Sequence, residues 1–149
     1  MKICLIGYGI PCLLLANILS NKNINISIFN ENYYENKSKT RTVGITKKNL
    51  HFLTNEKIFV EKFSWSIKNI KIFNDLENAE EILNFGPAND KLFSIIKNFQ
   101  FINLLKKNIK KSKSVKIVKK NKEVFYNSII NNQNQFDLII NFNSNNKIS

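Results

Sequence analysis

The chain has 149 residues, with 23 Lys or Arg against 11 Asp or Glu, a net charge of +12, and 43% hydrophobic residues of which aromatics make up 11% of the chain. That is one domain's worth of sequence with enough apolar mass to bury a core, which excludes intrinsic disorder. Cys4 and Cys12, with no Cys-x-x-Cys pair and no cysteine–histidine cluster, exclude a disulfide framework and a zinc site and suit a reducing cytoplasm.

The first thirty residues predict a strand, a glycine turn, a helix and a second strand. Residues 2–6 are a short apolar run, and Gly7-Tyr8-Gly9 makes a turn. From Pro11 onward Leu13, Leu14, Ala16, Ile18 and Leu19 suit a buried helix. Ile24, Ile26 and Ile28 then alternate with Asn25 and Ser27 at the period of a strand. This order can seat a dinucleotide pyrophosphate on a helix N-terminus. Gly7 can take the positive φ of a tight turn, and Gly9 lets the backbone approach phosphate with no Cβ in the way. Ile10 opens the helix, and Pro11 falls in its first turn, where a missing N–H costs little.

Two signature positions depart from the dinucleotide fingerprint. Cys12 stands where a third glycine would give close helix–strand packing. Asn30 stands where an acid would receive ribose hydroxyls, and the carboxylate of Glu31 faces the other way if the strand continues. An ordinary buried strand–helix–strand unit with no ligand is the competing reading. Residues 3–19 carry no charge, yet the stretch is short, broken by Gly7, Gly9 and Pro11, and followed by no small-residue cleavage site. It therefore reads as folded core rather than as a signal peptide or a membrane span.

Residues 32–40 read as a polar loop and residues 41–45 as a short extended piece. Thr46 is placed to cap a helix through about Leu53, with Leu50 and Leu53 inward. Thr54 is expected to cap a second short helix over residues 56–63. Residues 70–73 predict a strand turning at Asn74-Asp75. Residues 79–85 suit either a helix or a short strand, and Gly86-Pro87 ends them. A strand over residues 92–96 leads to a helix over 99–111, with Phe101, Ile102, Leu104, Leu105 and Ile109 on its apolar side. Strands follow at 115–118 and 123–126 across a lysine-rich turn, then a polar loop at 131–135 and a buried strand at 137–141. There is no internal repeat.

The positive charge invites a nucleic-acid reading, and much of it lies in nine lysines between Lys106 and Lys122. Arg41, however, is the sole arginine, and arginine is the residue that grips phosphate and guanine bidentately. Over-use of lysine, asparagine, isoleucine and phenylalanine is what AT-rich coding produces. A solvated lysine face is the favoured account, ahead of an anionic membrane surface and of nucleic acid. His51, the one histidine, lacks a Ser, Cys or carboxylate partner and reads as a helix surface residue. Trp65 and the phenylalanines are expected to fill the core or an apolar face. Adjacent Glu80 and Glu81 face differently on any regular element, so they do not form an acid/base pair.

Four stretches resemble the N-terminal part of the FAD-dependent aromatic-ring hydroxylases, in particular the ubiquinone-biosynthesis hydroxylases of polyprenylated phenols. They are the unit over residues 7–30, the segment Ser38-Lys39-Thr40-Arg41-Thr42-Val43-Gly44-Ile45-Thr46, Asn98-Phe99-Gln100-Phe101 with Leu104-Leu105, and Asp137-Leu138-Ile139-Ile140-Asn141-Phe142-Asn143-Ser144. The resemblance implies an α/β, Rossmann-like FAD/NAD(P)-binding fold with a mainly parallel sheet, incomplete relative to the family, as a single FAD-binding domain over residues 1–149. It implies that Gly7, Gly9, Ile10, Pro11, Cys12, Asn30 and Glu31 receive the ADP part of FAD. By the same likeness Arg41 lies on the flavin side, Asn98 is a polar FAD contact, and Asn143 stands in the late Asp-Gly position, here Asn143-Ser144.

The family chemistry is reduction of FAD by NAD(P)H followed by O₂-dependent hydroxylation of a phenol, with the flavin supplying the chemistry and the protein supplying binding, orientation and exclusion of water. It implies a cytoplasmic protein at the inner membrane face. Family members are much longer, and their later Gly-Asp motif has no counterpart here. The expectation is a truncated N-terminal portion, a fragment or half of a split protein, inactive by itself and completed by a C-terminal half. A non-catalytic dinucleotide-binding or interaction fragment is the alternative.

Overall fold

The computed structural model describes residues 1–30, 39–75, 79–86, 92–119 and 135–142. In chain order its elements are β1 (Lys2–Ile6), α1 (Ile10–Ser20), β2 (Asn25–Asn30), β3 (Thr42–Thr46), α2 (Lys47–Asn55), a 3-10 turn (Glu61–Phe63), β4 (Ser64–Ile67), β5 (Ile70–Phe73), β6 (Glu81–Phe85), β7 (Phe93–Lys97), α3 (Asn98–Lys111), β8 (Val115–Lys119) and β9 (Leu138–Asn141). They fall into two compact units, one of Met1–Ser38 with Phe101–Ser149 and one of Lys39–Gln100. The strand expected over residues 123–126 lies outside the described residues.

The first unit is an α/β layer on a four-stranded sheet ordered β8-β2-β1-β9, with all three pairings parallel. A parallel strand buried on both faces reads as a continuous apolar run, and Ile3, Cys4, Leu5 and Ile6 of β1 are all buried. On one face Cys4 and Ile6 cluster with Phe29, and Val118, Phe136 and Ile139 pack against them. Phe136 meets Phe29 edge-on, with ring centroids 6.1 Å apart.

Helix α1 is apolar around most of its circumference and buries Cys12, Leu13, Ala16 and Asn17. Asn17 is the polar exception. Its amide donates to the Leu13 carbonyl at 2.7 Å and to the Leu105 carbonyl at 3.1 Å, which ties α1 to α3. Helix α3 buries Phe101, Leu105 and Ile109, one residue per turn, and leaves Lys107 and Lys110 exposed. Each such apolar side chain contributes about 1.5–3 kcal/mol.

The second unit is antiparallel. Its three-stranded sheet has the order β3-β7-β4, with Ile45, Leu53, Ile58, Val60 and Ile96 buried. Thr46 caps α2 as expected, its hydroxyl accepting from Asn49 N at 3.2 Å. The second helix expected from Thr54 is absent. Lys57 adopts φ +62° and Ile58 N donates to Leu53 O at 2.8 Å, a left-handed helix stop that ends α2. The single proton of Thr54 Oγ1 is instead shared between Glu61 Oε1 at 2.6 Å and Leu50 O at 3.0 Å, and only the 3-10 turn remains of the expected element.

Strand β4 alternates Ser64 and Ser66 with Trp65 and Ile67 over only four residues, a stretch with no element expected from sequence, and its backbone pairs with the β7 edge. The ambiguous stretch before Gly86 resolves as β6, which pairs with β5 in a separate two-stranded sheet. That hairpin exposes Ile72, Phe73, Ile82, Leu83 and Phe85. Trp65, expected in a core or apolar face, is 56% exposed with Lys97 Nζ 5.5 Å from its ring centroid.

This burial contrast sets an expected outcome for urea unfolding. Leu5→Ala, at a site with 0% exposure, should lose about 3 kcal/mol. Ile82→Ala, 58% exposed on the hairpin, should stay within about 0.5 kcal/mol of wild type.

Candidate functional site

In the first unit, order β8-β2-β1-β9 places β2, the next strand of this sheet in the chain, on one side of β1 and β9, the last, on the other, so the strand order reverses beside β1. The crevice outside the carboxyl end of such a strand is where open α/β sheets take their ligands. Two backbone bonds hold the tips together there. Gly7 N donates to Phe29 O at 2.9 Å, and Phe142 N donates to Ile6 O at 2.8 Å.

Gly7 sits at φ +126°, which an L side chain rarely adopts, so the sharp exit from β1 requires glycine. Gly9, at φ −82° and ψ 177°, is the extended N-cap of α1, and no side chain caps the helix. The first-turn N–H groups of a helix have no intrahelical partners, and they carry its positive dipole end. A Cβ built on Gly9 would meet only Pro11 Cδ, at 3.8 Å. Gly9 and Pro11 are exposed while Gly7 and Cys12 are buried. The turn thus presents bare backbone outward over a packed base.

Cys12 belongs to that base. Its thiol donates to the Gly7 carbonyl at 3.2 Å, which braces the turn from beneath. Burial pushes the Cys12 thiol up from 9.0 to about 12, with neighbouring Cys4 adding to the shift, and burial alone does the same to Cys4. A helix N-terminus would lower a thiol's pKa, but here desolvation wins and Cys12 is a packing group, not a nucleophile.

Asn30 ends β2, buried, one residue beyond the Phe29 carbonyl that holds Gly7. Gly7, Gly9, Ile10, Pro11, Cys12 and Asn30 are therefore gathered at adjoining strand tips. Glu31 and Asn143 lie outside the described residues. Sequence reasoning missed Lys106, whose Nζ stands 4.9 Å from the centroid of the Tyr8 ring, between the two turn glycines. It also missed Asn17, which reads only as a polar interruption until α3 is in place.

The second unit carries two further candidates. Arg41 is exposed ahead of β3, and its carbonyl accepts from Asn98 N at 2.9 Å, so these two are neighbours. Asn98 Oδ1 and Gln100 Oε1, in the first turn of α3, are buried acceptors with no hydrogen-bond donor among the described residues. His51 is exposed on α2 beside Asn55, and Glu81 pairs with Lys71 at 2.7 Å, which holds its carboxyl below the usual range. Among the described residues no group of His, Cys, Asp and Glu could hold a metal ion, and no helix is long and apolar enough to cross a membrane.

No protein-family model and no curated protein matches the sequence. Solved structures do match in fold. p-Nitrophenol 4-monooxygenase PnpA from Pseudomonas putida DLL-E4 aligns at TM-score 0.66 and 14% identity, over 78% of this chain and 31% of that one. PqsL of Pseudomonas aeruginosa in complex with 2-aminobenzoylacetate aligns at TM-score 0.67 and 12% identity, over 80% and 33%. The flavin-dependent monooxygenase PieE, in complex with FAD and substrate, aligns at TM-score 0.63 and 12% identity, over 80% and 24%. This chain thus spans about a third or less of the structures it matches. At such identity the likeness is one of fold, and it supports the Rossmann-like α/β class.

The buried thiols set a second expected outcome. Their folded pKa is raised, so the stability linked to them is complete below pH 9 and declines between pH 9 and 12, at up to about 1.4 kcal/mol per pH unit per thiol. Urea midpoints should therefore be flat from pH 7 to about pH 8.5 and fall above it. Iodoacetamide at neutral pH should modify neither cysteine until the chain unfolds.

Proposed function

We propose that this chain is the FAD-binding portion of a flavin-dependent monooxygenase. One observation carries the reading: an exposed glycine turn and an uncapped helix N-terminus stand at the switch point of a parallel sheet, with open space above Gly9. The fold likeness to flavin-dependent monooxygenases supports it.

In this reading the N–H groups of Ile10 and Cys12 take the pyrophosphate, and Pro11, without an N–H, forgoes nothing there. Gly7 sets the turn and Gly9 keeps the approach clear. The Asn30 amide takes the ribose hydroxyls as a neutral partner, with Glu31 and Asn143 as further contacts. Lys106 adds a full positive charge beside the turn. Arg41 and Asn98 are assigned to the cofactor on the sequence resemblance. Bound FAD would supply redox chemistry and activation of O₂, while the chain's own groups bind and orient it.

The finer reading, a hydroxylase of polyprenylated phenols at a membrane surface, drawing electrons from NAD(P)H and completed by a C-terminal half, rests on the sequence resemblance alone. A non-catalytic dinucleotide-binding or interaction fragment is the alternative.

The test is a flavin titration of the purified chain. Stoichiometric FAD that co-elutes as yellow protein is expected, and colourless protein that ignores added FAD would overturn the proposal. Gly9→Val should weaken FAD at least about tenfold. Its far-UV circular dichroism should be unchanged, because only Pro11 Cδ lies within 4 Å of the new Cβ and the backbone there suits any residue.

A further inference from the structure

The opposite end of the same parallel sheet holds a second concave region. A cavity of about 310 Å³ opens at the amino ends of β1, β2 and β8, lined by Lys2, Asn25, Lys113, Ser114 and Lys116 among others. A neighbouring hollow of about 320 Å³ shares Asn25, Lys113 and Ser114 with it and adds Ser112. The strands are five or six residues long, so this region lies roughly 16 Å from the glycine turn. It belongs wholly to the first unit.

Charge distinguishes the region. Lys2, Lys113 and Lys116 are exposed at its wall, and none of them is ion-paired with a carboxylate among the described residues. The adjacent carboxylate, Asp137, is already engaged: its Oδ2 accepts from Lys2 N at 2.6 Å and lies 3.9 Å from the N-terminal ammonium. Two helices end here, α1 at Ser20 and α3 at Lys111. Their carbonyl ends present about half a negative charge each, which offsets about one lysine of the three. About two positive charges are left without a counterpart among the described residues.

The turn from α3 into β8 supplies matching donors. Ser112 Oγ and Ser114 Oγ are 2.9 Å apart, so one hydroxyl proton bridges them and the other is left for an outside acceptor. Lysines around a concave wall with a spare hydroxyl and an amide match a doubly charged, oxygen-rich anion rather than a neutral or flat ligand. The volume is near the lower bound of small-molecule pockets and takes a phosphate ester head rather than a whole dinucleotide.

We propose that the amino end of the parallel sheet is an anion site for a phosphate ester group, held by Lys2, Lys113 and Lys116 and independent of the glycine turn. The same chemistry could arrive on a soluble phosphorylated molecule or on a lipid headgroup.

Calorimetric titration of the full chain with inorganic pyrophosphate at low salt tests it. Saturable binding is expected, with a component that is weakened at least tenfold in Lys113→Gln/Lys116→Gln. That component should persist in Gly9→Val, which keeps this site apart from the proposed cofactor turn, and in the surface control Lys48→Gln/Lys68→Gln. Sedimentation with phosphatidylcholine vesicles containing phosphatidic acid, lost in the same pocket variant, would assign the site to a headgroup. Pyrophosphate binding without vesicle binding would assign it to a soluble ester. Absence of saturable binding to either probe, an equal loss in the surface control, or loss in Gly9→Val would overturn the proposal.

Discussion

The bond from Gly7 N to Phe29 O organises the first unit. It closes the β1–β2 pairing one residue past the end of β1 and leaves the chain at a φ of +126° that only glycine takes without strain. From that point the backbone must turn away from the sheet, and α1 begins three residues later with its amides directed outward. Were the exit from β1 smoother, the helix would start farther from the strand tips and its N-terminus would no longer crown the crevice. The thiol of Cys12 beneath the Gly7 carbonyl and the Asn17 amide on the Leu105 carbonyl then fix the helix at both levels.

The replacement of a glycine by cysteine is resolved by this arrangement. A third glycine serves close helix–strand packing, and a thiol is small enough to be buried there completely. It also donates a hydrogen bond that glycine cannot. The cost of ionising the thiol in that environment keeps it neutral, so the position is structural despite standing at a helix N-terminus. Asn30 follows the same logic. A carboxylate in its buried place would cost far more to leave unpaired than a neutral amide does.

The two ends of the parallel sheet are electrostatically unlike in origin. At the carboxyl end the positive potential comes from a helix N-terminus, with Lys106 held over Tyr8. At the amino end it comes from full lysine charges set against two helix C-termini. A net charge of +12 therefore hides two arrangements, one built from backbone and one from side chains. The solvated lysines along α3 are a third, without any concave surface to focus them.

The strand–turn–helix–strand of the first thirty residues was legible because each element is local: apolar runs, two glycines and an alternating strand carry their own periodicity. The Thr46 cap and the apolar side of α3 were legible for the same reason. Strand β4, the end of α2 and the exposure of Trp65 were not. The alternation in β4 runs over only four residues and its pairing depends on an open edge of β7, while the end of α2 depends on a left-handed stop at Lys57. Local sequence by itself determined which segments could be strands or helices and where the turn had to be. Only the tertiary structure decided that β9, over a hundred residues later, flanks β1 opposite β2, because parallel pairing is non-local and its hydrogen bonds appear only once the distant strand arrives.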